Sequence, residues 1–255
     1  MLRKLLKYDL KSGLRIFGFV WLGIAAMVGL MVLLFSVNVE ENTAVAVSGT
    51  LGMIPTILAI AGAILFANIY AAIRFFKGLL GREGYLMFTL PTTPWKLLTS
   101  KLISAFFFVA VTMVISLGGI MIVLTGMFRT MFGEFFDVFG IFGMDEGFGW
   151  SHVIMIANYI VSAITGILQI YFACCLGHLC SGKRGLFAVL FYFAINICVS
   201  IVTNILTITL MEYSYDALSV LAQEALYVSL PVNIGLGILY FFFSERILRN
   251  KLNLE

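Results

Sequence analysis

The residues that could do chemistry in this chain are few, and several lie in one short string. Gly177 to Arg184 reads GHLCSGKR, which matches the GxxxxGK part of a phosphate-binding loop. A working loop follows a strand and supplies Ser or Thr after the lysine, whereas an apolar, helix-length run precedes this string and Arg184 takes that place. We therefore expect no nucleotide binding by this chain.

A metal site is the second chemistry that the string suggests. His178 and Cys180 are both soft ligands, but two neighbouring ligands do not make a zinc site without further partners at suitable spacing. The other histidine, His152, lies about one membrane span earlier in the chain, which predicts that it sits at the opposite membrane face. The sequence thus indicates no catalytic residue, no metal and no cofactor held by this chain.

The composition predicts an integral membrane protein. Of the 255 residues, 62% are hydrophobic and 11% are charged, and the mean hydropathy is +1.07. A bilayer core needs about 20 apolar residues of helix per crossing. Six such runs appear, which predicts an all-α, polytopic membrane protein with six transmembrane helices. The runs are Ile16 to Phe35, Thr50 to Ile73, Leu102 to Phe128, His152 to Leu176, Leu186 to Met211 and Ala225 to Ser244.

The distribution of lysine and arginine predicts the orientation. With the N-terminus inside, every basic residue except Arg129 falls on the cytoplasmic side, while acidic residues collect in the outer loops. The first apolar run is too long for a secretory signal and lacks a convincing cleavage site. We expect a multi-pass protein of the cell membrane, with an uncleaved first helix and both termini in the cytoplasm.

Two predicted helices carry polar side chains along one face. The polar residues of the fourth and fifth helices follow the same offsets of four, seven and eleven, so each series forms a stripe. Two interpretations stay open: hydrogen-bonded packing between helices, or the lining of a translocation path for a partly polar substrate. The residues are Asn158, Ser162, Thr165 and Gln169 in the fourth helix, and Asn196, Ser200, Thr203 and Thr207 in the fifth.

The largest cytoplasmic segment between predicted helices, residues 74–101, contains GREGYLMFTLPTTPWKLL from Gly81 to Leu98. Glycines bracket a short turn or helix that bears Arg82 and Glu83. A new helix is then predicted with Thr93 as cap and Pro94 as first residue. The segment is long enough for an element that docks a partner.

The N-terminal residues 1–15 form the second basic region. LRKLLKYDLKSGLRIF places leucines among lysines and arginines, the pattern of an amphipathic helix at a membrane surface. Its basic residues include Lys4, Lys7, Lys11 and Arg15. Two outer segments are also unusual: 129–151 is rich in phenylalanine, and 212–231 is neither clearly spanning nor clearly polar.

In this ordered combination the chain resembles the permease subunits of type-2 ABC exporters. The resemblance implies a single transmembrane domain over 1–255, with residues 1–15 as an elbow helix and 212–231 as short re-entrant helices. It also implies that the loop between helices 2 and 3 contains a coupling helix that docks on an ATPase. The matching positions are Gly81, Arg82, Glu83, Gly84 and Tyr85, with Glu83 as the charged contact.

The resemblance further implies the partners. Two copies of this chain, or this chain and a close relative, would form the membrane part, powered by two separate nucleotide-binding subunits that bind ATP and magnesium. Membrane lipid surrounds the assembly, an amphipathic or hydrophobic peptide is the expected substrate, and no nucleic acid is expected. Two alternatives remain: a non-transporting sensor or assembly subunit, and an ion-coupled carrier. The absence of charges from the predicted helix centres disfavours the carrier.

Overall fold

The structure is a computed structural model that describes residues 2–36, 43–80, 94–132, 150–180, 182–211 and 218–250. These residues are almost entirely helical and contain no strand, so the all-α prediction is confirmed for them. The elements are α1 (Leu2–Ser36), α2 (Thr43–Phe75), a π-helical segment (Phe76–Leu80), α3 (Pro94–Phe132), α4 (Trp150–Leu179), α5 (Arg184–Met211) and α6 (Leu218–Asn250). Pro94 is the first residue of α3, as predicted.

Five helices of the described chain are long and apolar enough to cross a membrane. The qualifying stretches are Leu6–Leu33, Gly52–Leu80, Trp95–Thr125, Val153–Leu179 and Arg184–Leu206, in α1 to α5. The membrane-embedded character of the chain is therefore supported by its helices. Helix α6 is not among the five, and the sixth crossing stays a prediction.

The N-terminal helix differs from the expectation. Residues 2–15 are not a separate elbow helix, because α1 continues without a break from Leu2 to Ser36. No proline interrupts this sequence, and Gly13 does not end the helix. A Cβ atom at Gly13 would collide with the ring of Phe108, so glycine here permits the close approach of α3.

The segment before the sixth predicted helix also differs. Residues 212–217 lie outside the described part of the chain, and residues 218–231 are the first turns of α6 rather than separate re-entrant helices. Pro231 and Gly235 lie inside the helix and do not end it. Prolines occur within transmembrane helices where neighbouring groups and local adjustments satisfy the freed backbone atoms. Of the Phe-rich outer segment, residues 133–149 lie outside the description.

The chain divides into two compact units, whereas a single domain was expected. Unit 1 comprises Met1–Leu6, Tyr70–Phe106 and Trp150–Glu255, and unit 2 comprises Lys7–Ile69 and Phe107–Gly149. Three of the four boundaries lie within α1, α2 and α3, which are continuous helices, and the fourth lies where α4 begins at Trp150. Whether the whole chain acts as one transmembrane domain stays a prediction.

Unit 2 is held together by apolar packing among α1, α2 and α3. Phe17 is fully buried and its ring stacks on that of Phe108, with centroids 4.6 Å apart. The indole Nε1 of Trp21 donates a hydrogen bond to Thr112 Oγ1 at 3.0 Å. A cluster of buried aliphatic residues lies further along the helices: Ile24, Val28, Ile60 and Ala63.

In unit 1, helix α4 packs along both α5 and α6. Contacts between α4 and α6 extend from Asn158 with Ser229 to Phe172 with Tyr240, so the residue numbers increase in the same direction along both helices. The two helices are therefore parallel. Helix α5 returns from α4 through a short connection. There a Cβ at Gly177 would lie 2.5 Å from the backbone nitrogen of Ala188, so only glycine permits this approach.

Candidate functional site

The residues on both sides of the connection between α2 and α3 contact α4. The rings of Phe75 and Tyr171 stack with centroids 4.0 Å apart. The hydroxyl of Tyr171 donates a hydrogen bond to the carbonyl of Lys101 at 3.1 Å, which fixes the start of α3 to the same residue. The predicted docking residues Gly81 to Tyr85 lie outside the described residues, but the segments on both sides of them pack against α4.

The segment that leads into this connection is buried. The helix changes from α to π geometry at Phe76, and Gly78, Leu79 and Leu80 have little solvent exposure. Short π-helical turns inside or beside α-helices are frequent at functional sites. On the far side of the connection, Leu97 and Leu98 are buried as well. Each end of the connection therefore has buried residues that hold it by packing.

His178 makes a direct contact with the end of the π segment. Its Nε2 lies 3.0 Å from the carbonyl oxygen of Leu80, an acceptor to which the ring donates in the tautomer that carries the proton on Nε2. Arg184 Nη1 lies 3.4 Å from the same nitrogen, and the ring of Phe76 is 6.3 Å away. These contacts place His178 between the end of the π segment and the first residue of α5.

The structure places the GHLCSGKR string at the turn between two helices. Gly177 to Leu179 end α4, and Arg184 begins α5, so the strand that precedes a phosphate-binding loop has no counterpart here. Cys180 is half-buried. Among the described residues, no group of three or more His, Cys, Asp or Glu side chains is placed to hold a metal ion.

Exposed cations surround the same end of unit 1. Because α6 runs parallel to α4, its last turns lie beside the end of α4, close to the connection into α5. Trp95 is 47% exposed, and the ammonium of Lys96 lies 5.8 Å from its ring centroid. The exposed basic residues are Lys77, Lys96, Lys183, Arg184, Arg246 and Arg249. We call this surface the basic end of unit 1.

The predicted N-terminal cations lie on α1. Lys7, Lys11 and Arg15 are exposed, and Lys4 belongs to the same helix. Asp9, Gly13 and Phe17 are buried at intervals of four on another face. The first turns of α1 therefore have a basic exposed side and a packed side, while their position at the membrane surface stays a prediction.

The polar stripe of α4 is largely covered by α6. Asn158 Nδ2 donates to Ser229 Oγ at 2.7 Å, and Asn233 Nδ2 lies 3.4 Å from Asn158 Oδ1. Thr165 is buried, and its hydroxyl donates to the carbonyl of Asn233 at 2.9 Å. The contacts of Asn158 and Thr165 therefore support the first interpretation, hydrogen-bonded packing between helices.

The other two residues of the α4 stripe differ. Ser162 is exposed. Gln169 is half-buried, and its Nε2 atom is buried without a hydrogen-bond partner in the described part of the chain. A translocation path along α4 stays a prediction for these positions.

The polar stripe of α5 is only partly covered by the described residues. Asn196 and Thr203 are half-buried, and Ser200 is exposed. Thr203 donates to the carbonyl of Val199 at 2.9 Å, a bond within its own helix. Thr207 lies in α5. The apolar stretch of α5 is 6% buried, against 22% to 33% for the other four qualifying stretches of the described helices.

A shallow groove runs along this exposed side of α5. Its volume is about 420 Å³, and polar and isoleucine side chains line it together. We call it the α5 groove. Its lining consists of Asn196, Ile197, Ser200, Ile201, Asn204, Ile205 and Ile208.

Sequence reasoning missed several polar residues at these two surfaces. Ser229 and Asn233 on α6, four residues apart, are the partners of the α4 stripe. Asn204, four residues after Ser200, donates to the Ser200 carbonyl at 2.7 Å. The same four-residue spacing that marked the two stripes was present at both sites and could have identified them.

The chain matches no protein-family model, no curated protein and no solved structure. The resemblance to ABC exporter permeases therefore remains a prediction from the residues quoted above.

Proposed function

We propose that this chain is the membrane-spanning permease subunit of an ATP-driven exporter of the type-2 ABC class. The observation that carries the proposal is the attachment of both flanks of the α2–α3 connection to α4, through Leu80 with His178 and Lys101 with Tyr171. A loop that docks a partner must transmit its movement to the helices. Residues packed on α4 at both sides of the loop would transmit that movement. The docking residues Gly81 to Tyr85 lie between these two attachments.

The transmission route continues from α4 to α6. A displacement of the docked loop would move the π segment and the start of α3, and hence the end of α4. Helix α4 is in turn hydrogen-bonded to α6 through Asn158 and Thr165. Closure of two ATP-bound nucleotide-binding subunits, which hold the ATP and magnesium, would thereby change helix packing in the membrane.

The basic end of unit 1 supports a cytoplasmic position for the connection. Lysine and arginine are enriched on the cytoplasmic side of membrane proteins. Helix α6 runs parallel to α4, which is the arrangement required if α6 is the sixth crossing and both termini are cytoplasmic. The exposed Lys7, Lys11 and Arg15 would then contact headgroups of the inner leaflet of the cell membrane.

The assembly would contain two membrane chains and two ATPase subunits. An amphipathic or hydrophobic peptide is the proposed substrate, because the crossing helices are apolar and the resemblance is to permeases that export such peptides.

The test is co-purification of this chain with the nucleotide-binding subunit encoded in the same operon, followed by ATPase assays in nanodiscs. Native chain should bind the subunit, and a synthetic cationic amphipathic peptide should stimulate hydrolysis. Arg82→Ala and Glu83→Ala should weaken binding or uncouple the stimulation. Lys183→Ala, which removes a cation from the same basic end outside the loop, should behave as native.

Three results would contradict the proposal. If no ATPase co-purifies with the chain, the chain is not the permease subunit of an ABC exporter. If the ATPase binds but no tested peptide changes its rate and none is transported, the chain would be a sensor or assembly subunit. Transport that persists without ATP and collapses with an ion gradient would identify a secondary carrier.

A further inference from the structure

Three polar groups on α4 and α6 are buried without a hydrogen bond. The Nε2 atom of Gln169 and the hydroxyls of Tyr240 and Ser244 have no partner among the described residues. Tyr240 is 6% exposed, and Ser244 is fully buried. The Ser244 hydroxyl lies beside the thiol of Cys175, but sulfur is a weak partner and the contact lacks the geometry of a hydrogen bond. Buried polar groups in native proteins are almost always hydrogen-bonded, so three orphans need a common explanation.

The register of the two parallel helices brings these groups together. Gln169 lies four residues after Thr165 and three before Phe172, both of which contact α6, so it shares their face of α4. Hydrogen-bonded pairs between the helices are 68 to 71 residues apart in sequence. Gln169 and Tyr240 have a separation in this range and therefore lie at the same level. Ser244 follows one turn later on the same face of α6.

Close packing around these groups limits the size of any ligand. A Cβ atom at Gly237 would lie 3.1 Å from Thr165 Oγ1, so the helix backbones approach closely there. Further along the interface, the rings of Phe172 and Tyr240 stack with centroids 5.6 Å apart. Only a small molecule fits between such contacts.

The sequence of the interface favours a neutral ligand. Residues 165–176 of α4 and 233–244 of α6 contain no lysine, arginine, histidine, aspartate or glutamate. An ion buried here would have no opposite charge on either helix, which is very costly in an apolar interior. Lipid tails offer no hydrogen-bond donors or acceptors. Water is small and neutral, and it both donates and accepts.

We infer that water molecules are bound between α4 and α6, where they hydrogen-bond to Gln169 Nε2 and to the hydroxyls of Tyr240 and Ser244. Buried waters in proteins typically make about three hydrogen bonds to polar groups that would otherwise be unsatisfied. The amide N–H donates to water, and each hydroxyl can donate or accept. The bound water involves no partner subunit, so the inference is independent of the proposed function.

The α4–α6 interface then has two parts. At Asn158 and Thr165 the helices are joined by direct hydrogen bonds. At Gln169 they are joined through water. Water-mediated hydrogen bonds are nearly as favourable in enthalpy as direct ones.

The direct test is a water contact at the Gln169 side-chain amide, measured by NMR on the full chain in detergent micelles. The chain contains two glutamines, Gln169 and Gln223, so glutamine labelled with ¹⁵N in its side chain gives two amide signals. Gln223→Ala removes one signal and assigns the other. Rotating-frame cross-relaxation at the water frequency distinguishes a dipolar contact with bound water from proton exchange. We expect a dipolar cross-peak at Gln169.

Removal of each hydroxyl tests the same inference through the sign of the change in stability. Tyr240→Phe and Ser244→Ala each delete a water-bound hydroxyl and should lower the thermal midpoint. In a dry interface the same hydroxyls would be unsatisfied, and their removal would leave the midpoint unchanged or raise it. The matched control is Tyr159→Phe on α4, a tyrosine that is 65% exposed, and its midpoint should stay native.

Three results would overturn the inference. The first is the absence of a dipolar water cross-peak at Gln169 in the native chain. The second is an unchanged or raised midpoint in either hydroxyl variant. The third is a lowered midpoint without a water cross-peak, which would mean that the hydroxyls bond directly to protein groups. If a hydroxyl variant fails to fold, the spectrum of the native chain decides.

Discussion

Two polar stripes with the same residue spacing have different surroundings in this molecule. Asn158 and Thr165 of the α4 stripe are hydrogen-bonded to Ser229 and Asn233 of α6. The α5 stripe lies along an open groove, where Thr203 donates to the carbonyl of Val199 in its own helix. The spacing of polar residues therefore identifies a face of a helix, whereas the neighbouring helix determines which hydrogen bonds that face makes.

The largest effect should come from adding a side-chain atom at Gly177, where α4 and α5 are in close contact. Gly177→Ala would place a Cβ atom 2.5 Å from the backbone nitrogen of Ala188, which no side-chain movement can relieve. Overpacking of this kind costs about 1–3 kcal/mol. We expect a lower thermal midpoint in detergent. Gly185→Ala, whose Cβ would have no neighbour within 4 Å, should match or exceed the native midpoint.

A smaller loss should follow removal of the central amide of the covered stripe. Asn158→Leu deletes the contacts with Ser229 and Asn233, and interhelical hydrogen bonds in membranes average about 0.6 kcal/mol each. We expect the free energy of unfolding, measured by steric trapping in bicelles, to fall by about 1 kcal/mol. An unchanged value would mean that the α4–α6 interface does not depend on this amide.

The smallest effect should come from removing a single hydroxyl group. It distinguishes hydrogen bonds between two helices from hydrogen bonds within one helix. Thr165→Val removes the bond to Asn233 O and should cost about 0.6 kcal/mol. Thr209→Val removes bonds to carbonyls of its own α5 turn, and its stability should stay close to native. Equal losses in the two variants would contradict the distinction.

Much of the helical architecture follows from sequence because it depends on local properties. Apolar runs of membrane length predicted α1 to α5, and Pro94 marked the start of α3. The elbow helix over 1–15 and the re-entrant helices over 212–231 are not confirmed, because the described residues of these ranges continue into long helices that contain Gly13 and Pro231. Local patterns do not report the tertiary contacts of such residues.

The candidate site was predictable only in part. The sequence selected Asn158 and Thr165, whose polarity in an apolar run is visible. It gave no reason to pair them with Ser229 and Asn233, about 70 residues later, because that pairing depends on the parallel packing of α4 and α6. The role of His178 was missed for a similar reason: its partner is a backbone carbonyl, at Leu80, which leaves no signal in the sequence.

The most direct test of the contrast between the two stripes compares Asn158→Leu with the pair Asn196→Leu and Asn204→Leu in bicelles. The free energy of unfolding is measured on each chain. We expect Asn158→Leu to lower it by about 1 kcal/mol, because this amide is hydrogen-bonded to Ser229 and Asn233 of α6, and we expect the α5 pair to stay close to native. An unchanged value for Asn158→Leu, or equal losses in the two chains, would contradict the account.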